Sequence, residues 1–505
     1  MAAAAFVALG LVSCTDGFES ANRPGNKTNA EELNRDNYVT GNFLINMQNQ
    51  AFPEQENTYQ MVCDLIGNYM GRYFTYANPG FAQKNFVMCN APEGWAAWPL
   101  RNNKPSLESN FEEIKRITNG EGITYALALI LRSQGYLTLT DTYGPMTIGG
   151  QSDANAYSSQ EDIYKSILAD LDFATGILSP VVAADPTVTF AQEYDHVYQG
   201  KLSNWLKYAN SLKLRMAVRM RFVAPELAKQ VGEQAVKDGV ITSNSENLAI
   251  TYEPNGLYKT SVEWGDTRAC ADIESYMNGY SDPRISKYFS PTTVAGDRSI
   301  IGLRAAANVG NKDIADRLYS AAKVASNDRG VWMTAAEITF CRAEGALANW
   351  SGMGGTVETL YNRAIELSFE QWGASGVAEY LANSTSRPAD YVDADGGYGG
   401  NVSAVSTITI KWDNSATDEQ KLERLITQKW LALFPNGAEA WCELRRTGYP
   451  KVFAPAQSTA ANVNVANRVP FDPQERIRNK ANYDKAVQLL GGVDDYVTKL
   501  WWQRK

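Results

Sequence analysis

The sequence of 505 residues contains one histidine, His196, and no two cysteines at C-x-x-C spacing. A catalytic triad would have to use His196, and a zinc site built from several histidines is excluded. His196 lies in a polar segment with no motif around it, so we assign it no role. We therefore expect no catalytic residue, no metal and no cofactor.

Positive charge is also scarce, because 47 Lys and Arg stand against 56 Asp and Glu, which gives a net charge of -9. A protein that binds the phosphate backbone needs a concentrated cationic face, so nucleic acid is a poor candidate partner. The chain is 44% hydrophobic and 20% charged, and it can bury a large core.

No apolar run of membrane-spanning length occurs near the amino end. The run from Ala2 to Val12 is shorter than the ~20 residues that cross a bilayer, but it fits the apolar region of a secretion signal. The tetrad 11–14 ends in Cys14 and resembles a bacterial lipobox, in which the cysteine is acylated and becomes the first mature residue. We predict a signal remnant over 1–13 and a lipidated, polar tether over 14–35; the alternative is a buried helix that ends in an ordinary cysteine.

No Lys or Arg precedes Arg23, so the usual basic start of a signal is missing, and we attribute this to a start codon placed too late or a truncated gene model. Besides Cys14, five scattered cysteines remain, an odd number that leaves at least one unpaired. Cys341 and Cys442 lie among apolar residues of predicted helices, where we expect packed thiols.

Helical periodicity dominates the rest of the chain. Apolar residues at spacings of three and four predict a helix over Lys104–Thr118. Met333–Trp350 and Val357–Trp372 are predicted helices separated by a glycine-rich turn, which is typical of tetratricopeptide hairpins. The tetrads Ser158–Glu161 and Thr417–Gln420 read as capping boxes that open further helices.

Long segments without periodicity interrupt these helices. In an ordered protein, such segments are more often binding loops than linkers. The sequence thus predicts a mainly α fold, a tetratricopeptide-like helix-hairpin scaffold with long irregular loop insertions, in one domain over 36–505. The irregular segments are Gln50–Arg101, Ser179–Tyr198, Thr242–Arg329, Asn383–Trp412 and Gly448–Asn479.

Several short sequence motifs occur along nearly the whole chain in the same order as in one known family. The chain resembles the SusD/RagB family of Bacteroidetes outer-membrane nutrient-binding lipoproteins, closest to its second SusD-like branch. The motifs are SCTDGFE (13–19), LTDTYGPM (139–146), QEDIY (160–164), WLKYANSLKLR (205–215), DPR (282–284), AAE (335–337), RAE (342–344), QKW (428–430) and ELRRTGYP (443–450).

The resemblance implies four tetratricopeptide-like hairpins, a lipid anchor at the cell outer membrane, and surface exposure. It also implies a partner, a SusC-type TonB-dependent transporter over which the lipoprotein closes. The expected function is capture of nutrient oligosaccharides, or of peptides in the RagB branch, with no chemistry.

Sugar rings present apolar C–H faces, so a glycan site needs flat aromatic platforms with polar groups at their edges. The irregular segments contain two such clusters, one over Tyr59–Trp98 and one from Tyr258 to Arg268, and most of their aromatic residues are expected to fill the core. The candidate ligand-binding residues are Arg72, Tyr76, Trp95, Trp98, Glu263 and Trp264.

Three other functions stay open at this point. A peptide-capturing lipoprotein would use the same scaffold with acidic and amide groups, a glycosidase would use a carboxylate pair, and a purely structural surface protein would use neither. Glu443 lies near Arg445 and Arg446 on a predicted helix, which indicates a structural salt network more than a catalytic cluster.

Overall fold

The computed structural model describes residues 37–149, 153–294, 296, 298–394 and 397–505. The predicted signal remnant, Cys14 and the tether to residue 35 lie outside the described residues, so the predictions for them are taken up below as proposals.

Within the described ranges, the chain forms eighteen α-helices and six short strands, and some loops contain 3-10 or π-helical turns. The helices are α1 (Tyr38–Ala51), α2 (Glu56–Tyr59), α3 (Glu93–Ala96), α4 (Lys104–Thr118), α5 (Gly122–Tyr143), α6 (Gln160–Ala184), α7 (Leu202–Met220), α8 (Pro225–Asp238), α9 (Ala271–Gly279), α10 (Ile285–Tyr288), α11 (Lys312–Leu318), α12 (Ala335–Leu347), α13 (Val357–Trp372), α14 (Val377–Ala382), α15 (Asp418–Leu433), α16 (Gly437–Thr447), α17 (Glu475–Arg478) and α18 (Lys480–Leu490). The strands are β1 (Phe74–Tyr76), β2 (Met146–Thr147), β3 (Tyr157–Ser158), β4 (Leu248–Ile250), β5 (Thr267–Ala269) and β6 (Gly330–Met333), and they form three two-stranded antiparallel sheets, β1–β5, β2–β3 and β4–β6.

Four pairs of consecutive helices form the scaffold: α5 with α6, α7 with α8, α12 with α13, and α15 with α16. The pairs contact one another in sequence, through α6 on α7, α7 on α12 and α12 on α15. This stack of helical hairpins, with the other segments inserted between and around them, confirms the predicted mainly α, tetratricopeptide-like fold with long insertions.

Local sequence signals placed several helices correctly. Helices α4 and α13 have the predicted bounds. The capping box that opens α15 is present: the Thr417 hydroxyl accepts a hydrogen bond from the backbone N–H of Gln420, whose side chain accepts one from the backbone N–H of Thr417.

Two helix starts differ from the prediction. Ser159, one residue after the predicted cap, caps α6 by accepting from the N–H of Asp162. Met333 was predicted to be helical, but it lies in β6, which pairs with β4, so α12 begins at Ala335. In both cases a short strand takes the residue at which the helix was expected to start.

Ion pairs buried in the hairpin stack join its helices. Arg446 pairs with Glu344 and Glu443, and Lys429 pairs with Glu443. Burial opposes ionisation of Glu443, but Arg446 and Lys429 outweigh it and lower the pKa of Glu443 to about 2. The predicted salt network therefore exists, although Arg445 instead lies over the ring of Trp441, 3.4 Å from its centroid.

One hydrophobic core extends from Leu44 in α1 to Trp502 near the carboxyl end. The five described cysteines are unpaired, and Cys341 and Cys442 are buried within α12 and α16, as predicted. Burial raises the pKa of both thiols to about 12, so they stay protonated at neutral pH.

In the described ranges, α6 is the one helix whose length and composition would allow it to cross a membrane. It packs against α5 and α7, and it buries Ile163, Ile167 and Leu171. Because core helices pass the same test, this packing identifies α6 as part of the hairpin scaffold.

Candidate functional site

The short sheet between β1 and β5 brings together the two aromatic clusters that the sequence contains. The strands are antiparallel, with Phe74 opposite Ala269 and Tyr76 opposite Thr267. As a result, the segment that follows β1 lies beside the segment that precedes β5. We call these two segments, residues 77–98 and 258–266, the loop surface.

Asp266 holds the two segments of the loop surface together. Its carboxylate accepts hydrogen bonds from Asn78 Nδ2 at 2.9 Å and from Gln60 Nε2 at 2.9 Å, and it pairs with Lys312. Its backbone carbonyl accepts from the N–H of Ala77 at 2.8 Å. Asp266 is itself buried, so this network fixes the loops from beneath.

Three predicted ligand contacts are tryptophans that lie half-buried on or beside this surface. The ring of Trp95 meets Phe81 edge-on, with centroids 5.3 Å apart. The ammonium of Lys259 lies 5.4 Å from the ring centroid of Trp264 and pairs with the exposed Glu263. Partial exposure leaves part of each indole available to a ligand, and contact by Trp95, Trp98, Trp264 and Glu263 remains a prediction.

The other two predicted contacts lie inside the protein. Tyr76 is 1% exposed and its ring tilts against Tyr69, and Arg72 is 2% exposed and donates to the backbone carbonyl of Asn464. A ligand on the loop surface would reach them only after a rearrangement. Arg72 lies in the turn before β1 and Tyr76 lies in β1, so both residues have a structural role in positioning the loop.

A cavity of about 290 Å³ is lined by residues outside the loop surface, and the sequence motifs gave no sign of it. Its lining comes from six stretches that are far apart in the chain and carry no shared motif. The stretches are 54–63, 255–257, 288, 322–332, 371–372 and 434–438.

Glu54 is the one acidic residue in the buried part of this lining, at 4% exposure. Its carboxylate accepts hydrogen bonds from the indole N–H of Trp332 at 3.0 Å and from the N–H of Gly256 at 3.4 Å. Burial raises the pKa of Glu54 to about 7, against the opposing effect of these two hydrogen bonds. The carboxyl is therefore partly protonated at neutral pH.

The model of one protein family, described as "SusD-like: Susd and RagB outer membrane lipoprotein", matches residues 20–503 of this chain. The chain belongs to the SusD/RagB family of outer-membrane lipoproteins. The resemblance found in the sequence is thereby confirmed, and with it the outer-membrane location that the family description gives.

Solved SusD-like structures share this fold over their whole length. A SusD-like protein from Bacteroides thetaiotaomicron VPI-5482 is 35% identical, with a TM-score of 0.87 over 92% of this chain and 99% of that one. A chitin-binding SusD homologue from Flavobacterium johnsoniae is 34% identical, with a TM-score of 0.86 over 92% of this chain and 98% of that one. No curated protein sequence matches this SusD-like chain significantly.

Proposed function

We propose that this protein captures nutrient oligosaccharides at the bacterial surface and delivers them to a SusC-type TonB-dependent transporter without changing them chemically. The observation that carries the proposal is the likeness, at 34% identity over nearly the full chain, to a SusD homologue that binds chitin. Membership in a family of outer-membrane lipoproteins supports the location.

The composition of the loop surface supports a glycan site there. Half-buried indoles at Trp95, Trp98 and Trp264 offer apolar faces, and Glu263 and Lys259 offer polar groups beside one of them. The net charge of -9 favours a neutral ligand over a polyanion.

Attachment to the membrane is proposed through acylation of Cys14, with residues 14–35 as the tether. Two or more acyl chains hold a protein far more firmly than one, because each buried methylene contributes ~0.8 kcal/mol. In cells, Cys14→Ala should move the protein out of the outer-membrane fraction, and intact mass of the wild-type protein should show the lipid. A wild-type protein that carries no lipid would contradict this part of the proposal.

Ligand binding is tested with protein that begins at residue 15 and carries no lipid. We expect calorimetry to detect binding of at least one oligosaccharide from a broad panel that includes chitin oligosaccharides. The double substitution of Trp95→Ala with Trp98→Ala should weaken that binding strongly.

Three results would contradict the proposal. Binding of a peptide panel without binding of any glycan would favour peptide capture. Sustained hydrolysis of a glycan, abolished by substitution of one carboxylate, would make the protein a glycosidase. The protein could also be purified from outer membranes that contain a TonB-dependent channel. If the channel does not copurify with it, delivery to such a transporter is contradicted.

A further inference from the structure

The lining of the cavity of about 290 Å³ combines buried and exposed residues. Glu54, Asn255 and Phe434 are buried, whereas Lys323, Asp328 and Arg329 are exposed and form its rim. Its volume lies near the lower limit of small-molecule sites, at ~300 Å³, and equals that of roughly ten liquid water molecules. The space therefore suits a single ring with its substituents better than an extended chain.

The walls of the cavity are largely aromatic. Tyr288 stacks on Phe434 with centroids 4.3 Å apart and an interplanar angle of 10°, and Trp372 lies 4.6 Å from Tyr288. Trp332 adds a second indole, fixed by its hydrogen bond to Glu54. Tyr288 and Phe434 are almost fully buried and cover each other's faces, so the indoles of Trp332 and Trp372 are the flat surfaces left for the C–H face of a pyranose ring.

The carboxyl of Glu54 is the polar group built into this aromatic wall. No Lys, Arg or His in the described ranges pairs with it, and a buried carboxyl without a cation is costly. Glycines lie on both sides of the site: a Cβ at Gly330 would overlap the Glu54 carboxyl, and one at Gly256 would overlap the Tyr59 ring. The backbone thus closes tightly around the Glu54 carboxyl, which holds Trp332 and Gly256 in place and also lines the cavity.

Its oxygens retain lone pairs beyond the two hydrogen bonds they accept, and the side-chain oxygen of Gln371 in the same lining has no partner in the described part of the chain. These acceptors, together with the indole N–H of Trp372, which also has no partner in the described ranges, call for a ligand whose hydroxyl groups both donate and accept hydrogen bonds. Two of the three charged residues at the rim, Lys323 and Arg329, are cationic and disfavour the entry of an ammonium ligand.

We propose that this cavity is a second binding site, which takes one neutral pyranose unit with its ring face against the indoles and its hydroxyls on Glu54. The proposal rests on glycan capture as the function of the protein. It adds a site separate from the loop surface, because none of the residues predicted to contact the glycan lines the cavity.

Chemical labelling of Cys63 can show whether a ligand occupies the cavity. Cys63 lines the cavity and is half-buried, whereas the four other described cysteines are buried. Burial raises the pKa of the Cys63 thiol, so a thiol-directed label reacts slowly and is followed over time at alkaline pH. The probes are glucose, galactose, mannose, xylose and N-acetylglucosamine at millimolar concentrations. We expect at least one of them to slow labelling of the Cys63 peptide severalfold in mass spectrometry.

Two substitutions test whether this protection arises in the cavity. Val331→Phe fills the space, and the same change at the exposed Val405, outside the cavity, is its matched control. Affinity for the protecting sugar should fall at least tenfold in Val331→Phe and stay unchanged in Val405→Phe. If Val331→Phe does not fold, Glu54→Gln takes its place, because it keeps the volume while removing the carboxylate, and it should also weaken binding about tenfold.

The outcomes separate this inference from the proposed function. Oligosaccharide binding that depends on Trp95 and Trp98, with no sugar protecting Cys63, overturns the inference and leaves glycan capture intact. Protection by tetramethylammonium but by none of the sugars also overturns it. If no glycan binds, either to the wild-type protein or to the variants of the loop surface, the proposed function itself is contradicted.

Discussion

Arg446 of α16 and Glu344 of α12 form a two-bonded ion pair inside the hairpin stack. Arg446 Nη1 donates to Glu344 Oε1 at 2.5 Å and Nη2 to Oε2 at 2.8 Å, and neither side chain has any solvent exposure. The fork of the guanidinium matches the carboxylate, so the pair fixes the angle between two hairpins as well as their distance.

Removal of one partner of this ion pair should therefore strongly destabilise the folded protein. We expect Arg446→Ala to lower the free energy of unfolding by about 3–5 kcal/mol, because Glu344 and Glu443 would lose a buried counter-charge. Denaturant titration measures this change. The control is Arg363→Ala, which breaks exposed pairs and should cost less than about 1 kcal/mol; equal losses in the two variants would contradict a special role for the buried pair.

Glu54 should make stability depend on pH in the opposite direction from most carboxyls. Its pKa is about 7 in the folded protein and about 4.5 when exposed, so its destabilising effect is absent below pH 4.5 and grows as pH rises to 7. Glu54→Gln removes this effect. We expect the variant to match the wild type near pH 4 and to exceed its unfolding free energy by about 3 kcal/mol at pH 8.

Chemical denaturation of both proteins at the two pH values checks the sign. Other groups titrate in this range, but they are common to the two proteins, so the comparison isolates Glu54. If the difference in unfolding free energy between Glu54→Gln and the wild type does not grow from pH 4 to pH 8, ionisation of Glu54 costs the folded protein little stability.

Close packing between α16 and the π-helical turn at 60–68 depends on glycine. A Cβ at Gly437 would overlap the backbone of Asn68, whereas a Cβ at Gly94 in α3 meets nothing within 4 Å. We expect Gly437→Ala to cost about 1–3 kcal/mol through overpacking, and Gly94→Ala to be neutral or to gain up to about 1 kcal/mol from helix propensity. Thermal melts of the two variants in parallel check this difference, and a loss at Gly94 as large as that at Gly437 would refute it.

The sequence predicted those parts of the fold that depend on local signals. Apolar spacing and caps placed α4 and α13 at the observed bounds, and Thr417 caps α15 as expected. The prediction of helix at Met333 was wrong because Met333 pairs instead with Leu248, in a strand 85 residues away in the chain. Helix propensity cannot report such a long-range alternative.

The candidate site shows the same division. Aromatic composition pointed to the right loops, but composition does not say which ring faces solvent, and Tyr76 proved to be buried while Trp95 and Trp264 are half-exposed. The cavity around Glu54 left no trace in the sequence, because its lining joins residues as distant as Glu54 and Phe434. Only the folded chain brings them together.

Trp264 offers the sharpest test of the loop surface. Its indole is half-buried and lies beside Lys259, so substitution should remove a stacking platform without opening the core. An aromatic contact of this kind contributes ~0.5–1.5 kcal/mol, and we therefore expect Trp264→Ala to weaken oligosaccharide binding about two- to tenfold in calorimetry. Trp264→Phe, which keeps a flat ring, should retain most of the affinity.

The matched control is Phe173→Ala, which removes an exposed aromatic ring from α6, far along the chain from both loops. If stacking on the loop surface holds the glycan, Phe173→Ala leaves the affinity unchanged, and thermal melts show both variants to be folded. Equal weakening in the two variants would mean that exposed aromatic area in general, and not the arrangement fixed by Asp266, governs binding. Unchanged affinity in Trp264→Ala would remove this residue from the site and leave Trp95 and Trp98 as the remaining candidate platforms.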